Sequence, residues 1–486
     1  MPPGFYPDEA IYANNGVEAW ETGEFKIFYP ENNGREGLWP NIIGFFIVNF
    51  GHEPWVPRSV AAVFGILTVL GVYFLTKELF KQTALLRKPS RSPSVDGGQG
   101  VAEGDEQADE QASPAYWARR SGLRKNEILA FLSAFFLATS FWHILFSRIG
   151  FRAIMAPLFL VWGIYFLLLA LNKNFSSPKP ARSKIKQLAM AGLGGIFYGL
   201  GFYSYIAYRA TPLLIFIIIL LYWFQNKDWQ IRKKILLVAG GYTLMTIVVA
   251  APLGLYFLEN PQDFLGRTTQ ISVFNSPSPL KDLSINILKT AGMFNFSGDY
   301  NWRHNIAGKP LLFWPVGILF LIGIFLGLRT FFKKRFQEEY SQAFLILFSW
   351  LIITALPIVI SNEGIPHSLR AILMAPAIFI LAGVGGIWLY QWATKYRAYR
   401  QADELHTKLR KIFLLSTFYF LLLLLVVEVY ISYFIVWGKS EHISGAFSQN
   451  YVEIGRELNA LPKELPKYVL VEAGGVGYKV FCPSRT

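Results

Sequence analysis

Two adjacent acids, Asp8 and Glu9, lie in the run Phe5-Tyr6-Pro7-Asp8-Glu9-Ala10-Ile11-Tyr12-Ala13-Asn14-Asn15-Gly16. Asp8 follows Pro7 at a natural N-cap position and Glu9 falls in the first turn, so a plain helix cap accounts for a pair of this kind. At a membrane boundary and facing a wet cavity, the same carboxylates can do more: an acid there can take the proton from an attacking hydroxyl. A second run, His143-Ile144-Leu145-Phe146-Ser147-Arg148-Ile149-Gly150-Phe151-Arg152, places two arginines between closely spaced apolar segments. Such arginines can snorkel to the headgroups, or their planar guanidinium forks can clamp a phosphate. Cations also sit among aromatics in Ser297-Gly298-Asp299-Tyr300-Asn301-Trp302-Arg303-His304-Asn305, followed by Gly308-Lys309-Pro310. The fourth run, Ser361-Asn362-Glu363-Gly364-Ile365-Pro366-His367-Ser368-Leu369-Arg370, puts Glu363, His367 and Arg370 just ahead of a long apolar stretch. Ionisable groups at membrane depth are costly unless they face water or one another. Carboxylates in one loop and cations in three others suit sugar transfer from a lipid phosphate. One carboxylate would deprotonate the acceptor while Arg and His neutralise the departing phosphate.

The elements that must position these residues are membrane helices. The chain has 486 residues, 53% of them hydrophobic and only 16% charged, too apolar a balance for a soluble globule. A hydrocarbon core of roughly 30 Å needs about 20 apolar residues per crossing. Ten such runs are present: Arg58 to Phe80, Ile128 to Phe146, Ala153 to Leu171, Ile185 to Tyr205, Ala210 to Phe224, Ile235 to Leu258, Pro310 to Leu328, Ala343 to Ile360, Ala371 to Trp392 and Ile412 to Trp437. The Ala210 run is the shortest. Leu38 to Phe50 is broken by Pro40, Asn41 and Asn49 and suits a helix lying in the interface.

The formal charge of +14 does not point to nucleic acid, because the Lys and Arg residues fall in short loops and not on one face of a soluble domain. Alternate loops hold most of them, as in Lys81 to Lys125, Lys173 to Lys186, Lys227 to Lys234, Arg329 to Arg335 and Lys395 to Lys411. By the positive-inside rule those loops are cytoplasmic, and the loops bearing Asp8, Arg148, Arg209 and Arg370 lie outside. The expected layout is an outer first loop over 1–57, a helical membrane domain over 58–437 and an outer tail over 438–486. The membrane domain includes an inner loop over 81–126 and a large outer loop over 259–309. Residues Ser92 to Pro114 read as a disordered insertion, and the tail as a helix over Tyr451 to Leu461 followed by a strand over Tyr468 to Glu472. Nothing before Pro7 is apolar enough to carry the first loop across, so a further transmembrane helix is expected ahead of it. The single cysteine, Cys482, permits no internal disulfide. There is no fixed-period repeat, no Walker loop, no GxGxxG after a strand and no Cys/His set at zinc spacing.

The order of these pieces resembles the GT-C superfamily of glycosyltransferases, and within it the bacterial branch similar to protein O-mannosyltransferases and aminoarabinose transferases, family 39-like. The resemblance rests on Asp8-Glu9-Ala10-Ile11-Tyr12, on Pro57-Arg58-Ser59-Val60-Ala61-Ala62-Val63-Phe64-Gly65, on Ser147-Arg148 and on Pro366-His367-Ser368-Leu369-Arg370. It implies an all-α GT-C-like bundle of about ten crossings, eleven with the further helix. It also implies an inverting transfer of a mannose-like hexose or a pentose from a polyprenyl-phosphate donor, at the extracytoplasmic face of the plasma (inner) membrane. The first-loop acidic role falls on Asp8, with Glu9 its neighbour, and the arginine role on Arg148. Arg152, His367, Arg370, Arg303 and His304 are the other expected donor-phosphate ligands, supported by Arg58, Glu363 and Tyr12. The partners implied are the lipid-linked sugar, membrane lipids and a protein, lipid or glycan acceptor, without nucleic acid. No Trp-Trp-Asp motif is present, so the resemblance stops short of the metal-dependent oligosaccharyltransferases, and neither a cofactor nor a divalent metal is expected. The main rival is a transporter or lipid-linked sugar flippase, which would place broken helices and mid-membrane charges in two related halves. A purely structural membrane protein would leave the outer clusters without purpose.

Overall fold

A computed structural model describes residues 2, 4–31, 34–84, 114–171, 180–332, 341–395, 404–462 and 464–468. The insertion expected over Ser92 to Pro114 lies almost wholly outside them, as do residues 469–472 of the expected strand.

Among the described residues the chain is mostly helical, and the one sheet is a two-stranded ribbon. In order come α1 (Pro7–Thr22), β1 (Phe28–Tyr29), β2 (Arg35–Glu36), α2 (Leu38–Phe50), α3 (Trp55–Ala84), α4 (Pro114–Ala138), α5 (Phe141–Arg148) and α6 (Met155–Leu171). They are followed by α7 (Pro180–Leu200), α8 (Pro212–Gln225), α9 (Trp229–Glu259), α10 (Pro261–Gln270), α11 (Pro279–Gly292) and α12 (Trp314–Phe332). The last are α13 (Ser341–Val359), α14 (Ala375–Lys395), α15 (Glu404–Tyr430), α16 (Glu441–Ala446) and α17 (Gln449–Ala460). The α17 helix matches the expected tail helix within two residues.

Among the described residues eight helical segments are long and apolar enough to cross a membrane, and nine if α4 and α5 are one span bent by 60°. The chain is a multi-pass membrane protein. The bend falls at Thr139-Ser140, between the end of α4 and the start of α5, inside the expected Ile128 to Phe146 crossing. It turns α5, and Arg148 at its end, away from the axis of α4. The expected Ile185 to Tyr205 crossing falls on α7, which ends at Leu200, continues through a short 3-10 turn at Gly201–Tyr203 and is not among those segments, so the ten expected crossings become eight or nine among the described residues. Its glycines let α9 approach closely: a Cβ on Gly195 would stand 2.3 Å from the Tyr242 carbonyl oxygen. Small residues at the contact are how membrane helices gain dispersion energy where no water drives them together. Helix α14 is buried almost all round, whereas α9 leaves Leu244, Ile247, Val248, Leu255 and Leu258 exposed, an apolar face suited to lipid.

The residues before α3 form a cap at one end of the bundle. Pro7 supplies the fixed φ of a first helical position, and the Glu9 carboxylate accepts from the Tyr6 N–H at 2.9 Å, closing the first turn. At the other end Gly23, with φ of 77°, terminates α1 in the left-handed conformation. The short apolar helix α2 packs along α1 with the two backbones in contact. A Cβ on Gly16 would fall 2.2 Å from the Pro40 carbonyl oxygen, and one on Gly44 would fall 2.3 Å from that of Gly16. Buried Trp39 on α2 donates its indole N–H to the Gly150 carbonyl at 3.0 Å, tying the cap to the α5–α6 turn.

Candidate active site

Glu9 and Asp8 part company in the fold. Glu9 is 0% exposed: its Oε1 accepts from Arg58 Nε at 3.0 Å and from the Gly150 N–H at 2.6 Å, and its Oε2 from Arg58 Nη2 at 3.1 Å. Arg58 also donates to the carbonyls of Pro2 and Gly4, at 3.1 and 2.6 Å. A buried charge is tolerable when paired and fully hydrogen-bonded, and this pair meets that condition. The reading of Glu9 as a second carboxylate for chemistry, beside Asp8, is therefore corrected. Glu9 has no oxygen left to offer, and with Arg58 it fastens α1 to α3 and to the α5–α6 turn.

Asp8 is half-buried, and among the described residues no hydrogen bond or ion pair engages its carboxylate. Burial pushes its pKa up, while the charges of Arg152, Arg35, Arg303 and His304 pull it down, and the net shift is upward. Those four groups come from three parts of the chain: the turn before α6, the β2 strand and the loop between α11 and α12, which holds two. The fold brings Asp8 of the first loop within electrostatic reach of Arg152, Arg303 and His304, which lie far from it along the chain.

Each cation is held. Arg152 pairs with Glu36 of β2 and lies 6.0 Å from the centroid of the buried Tyr12 ring. Arg209 reaches the other oxygen of Glu36 at 3.5 Å and stacks over Phe257 and Phe264. Arg35 donates to Asn15 Oδ1 at 3.0 Å and to the Glu31 carbonyl at 3.2 Å. Arg303 lies 4.9 Å over the ring of Tyr6 and donates to the Ala446 carbonyl at 3.2 Å. Burial, then the nearby Asp8 charge, pushes the Tyr6 hydroxyl up to about 12, so it stays protonated. Tyr12 is likewise raised by burial.

The large loop contributes a second centre. Asp299 is 4% exposed and accepts at Oδ2 from both the N–H and the hydroxyl of Ser368, each at 2.9 Å, and at Oδ1 from the Asn301 N–H at 2.8 Å. His304 Nδ1 lies 3.4 Å and His367 Nδ1 3.9 Å from Asp299 Oδ2, and the two imidazoles stack at 5.0 Å between centroids. Burial alone would raise the Asp299 pKa, but the close approach of His304 and the charge of both imidazoles bring it below the ordinary carboxylate range. These three residues are the group among the described residues whose donor atoms converge closely enough to hold a metal ion.

Two expected phosphate ligands, Arg370 and Arg148, and the expected supporting residue Glu363 fall elsewhere. Arg370 donates to Ser361 Oγ, to the Glu363 carbonyl at 2.8 Å and to its carboxylate at 3.1 Å, so Arg370 and Glu363 lock their own loop together. Arg148 lies over the rings of Tyr433 and Phe434, at 5.3 and 5.5 Å, and is not among the main charges felt by Asp8. Two site residues were missed from the sequence. Arg35 stands in a short polar run that gives no periodic signal, and Asp299 lies in the Ser297 to Asn305 run beside cations whose chemistry is more conspicuous in the sequence. The spacing Asp299-x4-His304 was the available clue.

No family model and no curated protein matches the sequence. Solved structures do match the fold. The oligosaccharyltransferase AglB of Archaeoglobus fulgidus, in complex with an inhibitory peptide and a dolichol-phosphate, superposes with a TM-score of 0.51 at 14% identity over 88% of this chain and 52% of that one. The apo form of the oligosaccharyltransferase from that organism gives 0.50 at 15% identity, with the same coverage. The fold is shared with these oligosaccharyltransferase structures. ArnT of Cupriavidus metallidurans bound to undecaprenyl phosphate is also similar, at 16% identity and a TM-score of 0.46 over 96% of this chain and 79% of that one. The chain spans about half the length of the oligosaccharyltransferase it matches.

Proposed function

We propose that this GT-C chain is an inverting glycosyltransferase. It moves a single sugar, a mannose-like hexose or a pentose, from a polyprenyl-phosphate donor to an acceptor hydroxyl at the extracytoplasmic face of the plasma membrane. The observation that carries the reading is the half-buried, unengaged Asp8 carboxylate surrounded by Arg152, Arg35, Arg303 and His304. A base with a raised pKa accepts a proton better than an ordinary carboxylate does. As the acceptor oxygen bonds to the anomeric carbon from the face opposite the phosphate, its proton passes to Asp8 and the carbon–oxygen bond to phosphate breaks. The electron pair leaves on the polyprenyl phosphate, whose growing charge the nearby cations stabilise. The alternation of basic loops supports the assignment of this end to the outer face.

The test is transfer of radiolabelled sugar from polyprenyl-phosphate mannose or pentose by purified chain in lipid. Asp8→Asn is expected to lower kcat by about 10²- to 10⁴-fold, the usual worth of a general base. Equal turnover by Asp8→Asn and wild type would remove Asp8 from the chemistry. A chain that transfers no sugar from any polyprenyl-phosphate donor would overturn the function.

A further inference from the structure

We infer that Asp299, His304 and His367 form a binding site for one divalent transition-metal ion, of the zinc class. One carboxylate oxygen and two imidazole nitrogens are a donor set that such ions take readily and that magnesium and calcium do not favour. A tetrahedral zinc ion holds nitrogen and oxygen ligands at about 2.0–2.2 Å, which requires donors roughly 3.4 Å apart. The three donor atoms lie within 4.8 Å of one another, and two of the separations are 3.4 and 3.9 Å. Small side-chain movements, on the order of 1 Å or less each, complete the geometry.

The independent observation is His304. It is 5% exposed, and neither of its ring nitrogens has a hydrogen-bond partner, although leaving a buried polar atom unpaired is costly. An ion at Nδ1 would supply the missing partner. The carboxylate is prepared in the manner usual for a ligand: Ser368 donates to it twice, and the Asn301 N–H holds its other oxygen. The three ligands come from two loops, the one before α12 and the one before α14, so the ion would cross-link them. Asp8 is not part of the set.

Resting on the proposed transfer reaction, the ion would also have a role in it. His304 is one of the four groups whose charge acts most on Asp8, so a dication there would help keep Asp8 ionised and offer an open position to a phosphate oxygen.

The test uses the full chain in detergent, its affinity tag removed, stripped with EDTA and then exposed to zinc chloride or magnesium chloride. After desalting, metal is measured by mass spectrometry and affinity by competition with a chromophoric chelator. Wild type is expected to keep about one zinc per chain and no magnesium. His304→Ala and His367→Gln are each expected to lose at least about tenfold in zinc affinity, and Asp8→Asn to keep it. Cobalt in place of zinc should give the visible absorption of a tetrahedral site, lost in His304→Ala. Size-exclusion profiles identify any variant that fails to fold, and the other histidine variant then decides. Wild type without retained zinc, or both histidine variants retaining it as wild type does, overturns the inference. Zinc binding without sugar transfer would sink the proposed reaction alone, transfer by a zinc-free chain would sink the ion's role in that reaction, and transfer by a wild-type chain that retains no zinc would sink the metal site alone.

Discussion

Removing the guanidinium of Arg58 strands the Glu9 carboxylate in the interior, and the cost follows from the contacts. Glu9 is fully buried and loses two charge-assisted bonds of 3.0 and 3.1 Å, leaving only the N–H groups of Gly150 and Tyr6. Breaking a buried pair by deleting one partner costs about 3–5 kcal/mol, because a charge remains without compensation. Arg58→Ala is therefore expected to lose that amount, as is Glu9→Gln. In the double variant Glu9→Gln/Arg58→Met no charge is left buried. Its loss should fall short of the sum of the single-variant losses by about 1–3 kcal/mol, the coupling typical of groups in one network. The assay is SDS-induced unfolding in mixed micelles, followed by circular dichroism, with the three variants and wild type closing a double-mutant cycle. Strict additivity, or an Arg58→Ala chain as stable as wild type, would refute the claim that this pair fastens the first helix to the bundle.

Other consequences are open to direct measurement. Because burial raises the Asp8 pKa, the acid limb of kcat/KM for sugar transfer should lie above the ordinary carboxylate value of about 3.9, with activity lost as pH falls through it. Arg303→Ala removes a cation that lowers that pKa and should move the limb to still higher pH; a shift downward would contradict the assignment. A group whose folded pKa is raised costs stability once it is ionised, so Asp8→Asn should melt no lower than wild type at neutral pH while losing activity. Gly16→Ala forces a methyl group against the Pro40 carbonyl and should cost about 1–3 kcal/mol in the same unfolding assay. Arg370→Ala should make the loop from Ser361 to Arg370 more sensitive to protease, with sugar transfer falling less than in Asp8→Asn.

The membrane helices and the ends at which the charged loops gather could be read from the sequence, because hydropathy and charge alternation are one-dimensional signals. Asp8 was legible for the same reason, being an acid at the boundary of a loop. Which of two adjacent acids is buried was not legible, since only the position of Arg58 and Gly150 decides it. Arg148 and Arg370 were assigned to phosphate, and Glu363 to their support, because side-chain direction does not appear in a list of loop residues. The partners that capture them, Tyr433, Phe434 and Ser361, lie on other turns of the chain or on the loop itself. Asp299 went unremarked because its meaning depends on His367, more than sixty residues away, and a pattern search over short spacings does not join them.

One step along a helix rotates a side chain by about 100°, so a single residue separates the acid that anchors from the acid that is proposed to react. Inserting or deleting one residue between Tyr6 and Ala10 would leave the composition almost unchanged, yet aim the wrong carboxylate inward. Moving the reactive acid therefore means moving its neighbour as well, and any redesign of this pocket has to treat the two positions as a single part.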